Sequence, residues 1–195
     1  DLADPAWKGQ VCIRSSNNIY NQSLLASLIA HDGAEAATAW ARGLMNNLAR
    51  RPVGGDTDQL LGVASGECDI AVANHYYFVR LAQSADPAQR AAAEKLTVIF
   101  PNQADRGVHV NIGGAALAAH APNRANAVRF LEYLASPEAQ AIFAVANYEL
   151  PIVEGSVQDP LVESWHTIKR DALDVTVLGV HNPEAVRVAD RAGWR

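Results

Sequence analysis

Long apolar runs are missing from this sequence: stretches such as Ala115 to Ala119 fall far short of the roughly 20 residues that span a bilayer, so no transmembrane helix is expected. A surplus of positive charge is missing too. Lys+Arg 16 against Asp+Glu 21 gives a formal net charge of -5, and no basic stripe is present to neutralise phosphates, which argues against nucleic acid as a partner. Cysteine is scarce, with only Cys12 and Cys68. His31, His75, His109, His120, His166 and His181 show neither His-x-x-x-His spacing nor a Cys-x-x-Cys neighbour, so a zinc site is not expected. There is no Gly-x-Ser-x-Gly and no fitting Cys/His constellation, which leaves an enzyme using His75 or Cys12 as base or nucleophile without support. Neither an initiator Met nor a signal segment stands at Asp1, so the chain reads as processed, truncated or incompletely recorded. Internal repeats and low-complexity segments are absent as well.

What is present is ordinary globular composition. With 195 residues, 49% hydrophobic and 19% charged, the chain can bury a sizeable core in one large domain or two small lobes. Val11 to Ile13 reads as a strand, and polar Ser15-Ser16-Asn17-Asn18 leads into a helix from Ser23 through Ala30. A second helix covers Ala34 to Leu48, broken afterwards by Pro52 and Gly54-Gly55. Asp56-Thr57-Asp58 is expected to cap a helix from Gln59 to Ala64, and Gly66 precedes a strand from Asp69 to Ala73. Beyond Asn74-His75-Tyr76-Tyr77 come helices over Phe78 to Gln83 and Asp86 to Lys95. Strands are then expected over Leu96 to Phe100 and Val108 to Ile112, followed by helices over Arg124 to Leu134 and Ala139 to Val145. Alternation of this kind predicts an α/β fold, in which ligands bind beyond the C-terminal ends of strands.

Residues 14 to 20 and 74 to 77 both occupy such strand ends, so polar and phenolic groups from two places face one possible crevice. The Tyr76-Tyr77 pair alone is weak evidence, since aromatic packing or an interface patch is the ordinary reading of such a pair. Cys12 and Cys68 each follow a Gly-containing turn and open an apolar run. If those two strands are neighbours, the thiols lie within bridging reach; otherwise they are two buried, inert thiols.

Cys-Ile-Arg-Ser-Ser-Asn-Asn-Ile-Tyr-Asn-Gln-Ser from Cys12, Gly-Gly-Asp-Thr-Asp-Gln from Gly54 and Gly-Glu-Cys-Asp-Ile-Ala-Val-Ala-Asn-His-Tyr-Tyr from Gly66 resemble the periplasmic ferric-iron-binding proteins of ABC transporters. The similarity continues through Phe100-Pro101-Asn102-Gln103, Gly107 to Ile112, Ala121-Pro122-Asn123-Arg124 and Ala135 to Gln140. It ends with Asn182-Pro183-Glu184-Ala185 and Asp190 to Trp194. The resemblance implies a type II periplasmic-binding-protein architecture, with this chain supplying the second lobe plus part of the first. On that basis 1–106 form the second-lobe α/β unit, 107–155 return to the first lobe, and 156–195 pack back on the second as C-terminal helices. It further implies a periplasmic address, Fe³⁺ as cargo with a synergistic anion such as carbonate, an inner-membrane ABC permease as partner and a monomer in the full-length form.

By position the family's tyrosine ligands fall on Tyr20, Tyr76 and Tyr77. The chemistry suits them: Fe³⁺ is a hard cation that prefers anionic oxygen, and a bound cation drives the proton off a phenol. His75 is expected to line the cleft and not to bind metal. Ser15 and Ser16 sit before a helix start, where they either help to hold an anion or cap the helix. Asn74 and the cations Arg14 and Arg80 are expected around the ligands, the arginines offsetting phenolate charge; the plainer reading of both is surface salt bridging. Arg80 stands three positions after Tyr77, a helical spacing that puts the two on one face. Trp7, Trp40, Trp165 and Trp194 read as packing anchors. An alternative within the same architecture is capture of another small solute, an oxyanion or organic acid.

Overall fold

The computed structural model describes residues 1–156 and 158–195. Among the described residues, two short strands and eight α-helices follow a 3-10 turn at Pro5–Trp7: β1 Val11–Cys12, α1 Ile19–Asn46, α2 Asp56–Ser65, β2 Ile70–Ala71, α3 His75–Ala82 and α4 Pro87–Ala93, then α5 Arg124–Leu134, α6 Pro137–Asn147, α7 Pro160–Glu163 and α8 Val175–Ala192. The chain divides into two compact units. One comprises Asp1–Asn111 with Lys169–Arg195, the other Ile112–Ile168.

The first unit is built on a parallel pair, β1 beside β2, with Val11 opposite Ile70 and Cys12 opposite Ala71. Its apolar core joins β1 to helices α1 and α8 through Val11, Ile13, Leu25, Leu44, Val188 and Trp194. Helix α1 absorbs both helices expected between Ser23 and Leu48, which meet at a kink: Gly33 has φ 86° and ψ 161°, far from helical values. Its N-cap is Asn18, whose side chain accepts from the Tyr20 N–H at 2.8 Å. Helix α8 begins at the cap Asp174, whose carboxylate accepts from the Thr176 N–H at 2.8 Å, and ends at left-handed Gly193.

In the second unit α5 follows Asn123 and ends at Ala135. Ser136 caps α6 by accepting from the Ala139 N–H at 3.2 Å, with Pro137 in the first turn, where its missing N–H costs nothing.

Three expectations are corrected. Leu96 to Phe100 is not a strand, because no other segment among the described residues lies alongside to form a ladder; Ile99 is 81% exposed. Val108 to Ile112 makes only a single bridge, Val108 to Arg170, instead of a full strand. Helix α2 starts at Asp56, not Gln59: Gly55 is the cap position, and Asp58 reaches back to accept from the Gly55 N–H at 2.6 Å.

Candidate metal centre

Both strands deliver a phenol-bearing helix start to the same place. From β1 the chain turns through Arg14 to Asn18 and enters α1, with Tyr20 in its first turn. From β2 it passes to Asn74, the N-cap of α3, so His75, Tyr76 and Tyr77 occupy that helix's first turn. Parallel pairing points both chain segments the same way, which is why the two helix starts converge. The pairing is covalently fixed: Cys12 and Cys68 form a disulfide with Cα atoms 6.0 Å apart, both residues buried.

The Tyr76 hydroxyl donates to the Tyr20 hydroxyl at 3.0 Å. The rings of Tyr76 and Tyr77 lie 4.6 Å apart between centroids, tilted by 36°. Asn74 donates from Nδ2 to Tyr76 Oη at 3.3 Å and accepts at Oδ1 from Asn111 Nδ2 at 2.8 Å, which fixes its amide orientation. His75 meets the Tyr76 ring edge to face, at 5.7 Å and 79°. Helix spacing brings Arg80 over both rings of the pair, with its guanidinium carbon 5.2 Å from the Tyr76 centroid and 5.4 Å from that of Tyr77. Arg14 covers the Tyr20 ring at 5.5 Å and faces Asp56 at 3.6 Å.

Electrostatically Tyr76 and Tyr77 resist ionisation. Burial first, then its donated hydrogen bond to Tyr20 and the nearby phenols, pushes the Tyr76 hydroxyl well above the usual tyrosine range. Burial and hydrogen bonding toward Tyr20 raise Tyr77 as well, against an opposing hydrogen bond with Tyr76. Phenols of this kind are poor at holding charge alone, and a nearby polyvalent cation would favour their ionised form. Among the described residues, no group of three or more His, Cys, Asp or Glu side chains is placed to hold a metal.

Of the residues singled out from the sequence, Tyr20, Tyr76, Tyr77, Arg14, Asn74 and Arg80 share this cluster. Ser15 and Ser16 do not cap α1, a task that falls to Asn18 because its side chain is the one that reaches the Tyr20 N–H. The Ser15 hydroxyl instead accepts from the Asn17 N–H at 3.1 Å. Ser16 is buried and donates to the Trp194 carbonyl, while Trp194 Nε1 donates to the Arg14 carbonyl at 2.9 Å. That exchange ties the turn before Tyr20 to the end of α8.

The family model for bacterial extracellular solute-binding proteins matches residues 1–171. The chain belongs to that family. As a solute-binding protein it is a member of a group that captures ligands and does not transform them. It is 49% identical over 195 residues to iron uptake protein A1 of Synechocystis sp., covering all of this chain and 54% of that relative. The solute-binding protein thus spans about half the length of that curated relative. Among solved structures it resembles a Trichodesmium protein in complex with iron and citrate ligands, with 48% identity, TM-score 0.94, and coverage of 100% of this chain and 62% of that one. It also resembles the ferric binding protein from Campylobacter jejuni, with 40% identity, TM-score 0.96, and coverage of 100% and 61%. The fold is that of the type II periplasmic binding proteins.

Two members of this solute-binding protein's cluster escape sequence reasoning. Asn111 comes from far along the chain, within the Gly107 to Ile112 stretch, and nothing in that stretch marks it for a role. Asp56 is only 2% exposed and its carboxyl is raised to about 6, burial outweighing the pull of Arg14. The signal for Asp56 was its place in the Gly54 to Gln59 motif, where an acid ahead of a helix reads as a cap.

Proposed function

We propose that the protein captures ferric iron through the phenolate oxygens of Tyr20, Tyr76 and Tyr77 and delivers it to an ABC importer in the inner membrane. The observation that carries this reading is the 3.0 Å contact between the Tyr20 and Tyr76 hydroxyls, from residues 56 apart in sequence. Phenols gathered at one point while protonated are a ligand set waiting for a hard cation. Relatives named for iron uptake and ferric binding support the choice of ion. The Cys12–Cys68 bridge fits an oxidising compartment, which supports a periplasmic address.

In this reading three phenolates neutralise Fe³⁺, and a small anion such as carbonate fills a remaining coordination position beside Arg14 and the turn at Ser15 and Ser16. Residues 107–155 belong to the first lobe in this reading, the full-length protein working as a monomer. Titrating the protein with ferric citrate tests the ligand class. A visible phenolate-to-iron charge-transfer band should grow to one ion per chain, and each of Tyr20→Phe, Tyr76→Phe and Tyr77→Phe should weaken binding by about tenfold or more while far-UV circular dichroism is kept. Binding without the band, or unchanged affinity in Tyr76→Phe or Tyr77→Phe, rules the assignment out; binding of citrate or an oxyanion without iron would favour the other solute class.

A further inference from the structure

Asp56 is a buried acid with no evident duty in the fold. The N-terminus of α2 already has a side-chain contact, because Asp58 accepts from the Gly55 N–H, so Asp56 is not needed as a cap. Its Oδ2 has no hydrogen-bond partner although the residue is 2% exposed. Keeping a carboxylate out of water is costly unless a counter-charge stands near, and here the Arg14 guanidinium lies 3.6 Å away. That distance is long for a hydrogen bond, so what the pair achieves is placement of a cation.

Arg14 is placed tightly at its main chain. Its carbonyl accepts from Trp194 Nε1 at 2.9 Å and from Asn21 Nδ2 at 2.9 Å. The side chain alone is left to choose a direction, and it lies between Asp56 and the face of the Tyr20 ring, 5.5 Å from the ring centroid. A flat guanidinium on one face limits how far that ring can turn.

We propose that Asp56 is a positioning residue for Tyr20: its buried carboxylate holds Arg14 against the Tyr20 ring and so fixes the phenol at its meeting point with Tyr76. The role of that phenol as an iron donor rests on the function proposed above; the Asp56–Arg14–Tyr20 linkage does not. Without the carboxylate, Arg14 turns toward solvent and the Tyr20 ring regains its freedom.

The test uses the full chain with ¹³C-labelled tyrosine rings and the variants Asp56→Asn, Arg14→Gln and the double change. In metal-free protein, both single variants should move the Tyr20 ring resonance in the same direction, and the double variant should move it no further. Ferric affinity, measured by competition with a chelator, should fall about tenfold in either single variant and no more in the double. Arg14→Lys keeps a partner for Asp56 but not the flat guanidinium; it should shift the Tyr20 resonance with the thermal midpoint held, and it carries the test if Asp56→Asn fails to fold. An unmoved Tyr20 resonance in the folded variants overturns the proposal, as do additive shifts in the double. A coupled Tyr20 shift in a protein that binds no ferric ion would uphold the positioning role and overturn the ferric reading instead.

Discussion

Arg80 offers only hydrogen-bond donors and so cannot be a metal ligand, yet it stands 5.2 Å from the Tyr76 ring centroid and 5.4 Å from that of Tyr77. Its influence on the cluster is therefore electrostatic. Tyr76 and Tyr77 both have their hydroxyl pKa values raised, so at neutral pH the metal-free phenols hold their protons. In the ferric reading each ligand gives up one proton as the ion binds, which makes binding strengthen as pH rises, by up to about tenfold per pH unit for each phenol. A neighbouring positive charge eases that ionisation. Arg80→Ala should accordingly move the half-saturation point of ferric binding to higher pH, while the colour of the loaded protein stays as in the wild type. Superimposable pH curves for the two proteins would leave Arg80 as an ordinary exposed residue.

Gly107 shows what holds two separated segments together. It has φ +93°, and a Cβ there would lie 2.7 Å from the Lys169 carbonyl oxygen and from the Arg170 carbonyl carbon, main-chain atoms that cannot swing aside. The Val108 N–H donates to the Lys169 carbonyl at 2.9 Å, and the Asp171 N–H donates to the Val108 carbonyl at 2.9 Å. Gly107→Ala should push these segments apart and destabilise the fold by about 2 to 3 kcal/mol, read from the urea midpoint. A midpoint indistinguishable from the wild type would contradict the close approach. Helices were legible in the sequence because their signals are local: the caps at Asp86 and Ser136 and the stop at Gly66 lie within a few residues of what they punctuate, although the cap of α1 reads from the sequence as Ser15 or Ser16 and is Asn18. Strands need a partner that a sequence window does not display, and so Leu96 to Phe100 and Val108 to Ile112 were overread. The site divides the same way. Tyr20, Tyr76 and Tyr77 were legible as strand-end residues, whereas Asp56 becomes visible only once β1 and α2 are placed together.

At the scale of the molecule the disulfide is the covalent constraint on the site. It closes a 56-residue interval, for which the chain-entropy treatment gives a stabilisation of about 4 kcal/mol. Denaturant unfolding with and without a reductant should show a loss of that order, with two thiols titrating after reduction; equal midpoints would mean that the bridge does not constrain the unfolded chain. The Tyr20–Tyr76 contact spans the same separation of 56 residues, so the two arms running from the bridge to the rings are of equal length. For a chelator, such a bridge sets the effective concentration of one donor at the other. Loss of the covalent closure lets the arms part between encounters, so in the ferric reading the ion would meet the phenols one at a time and leave faster. Iron retention would then follow the redox state of a sulfur pair that never touches the metal.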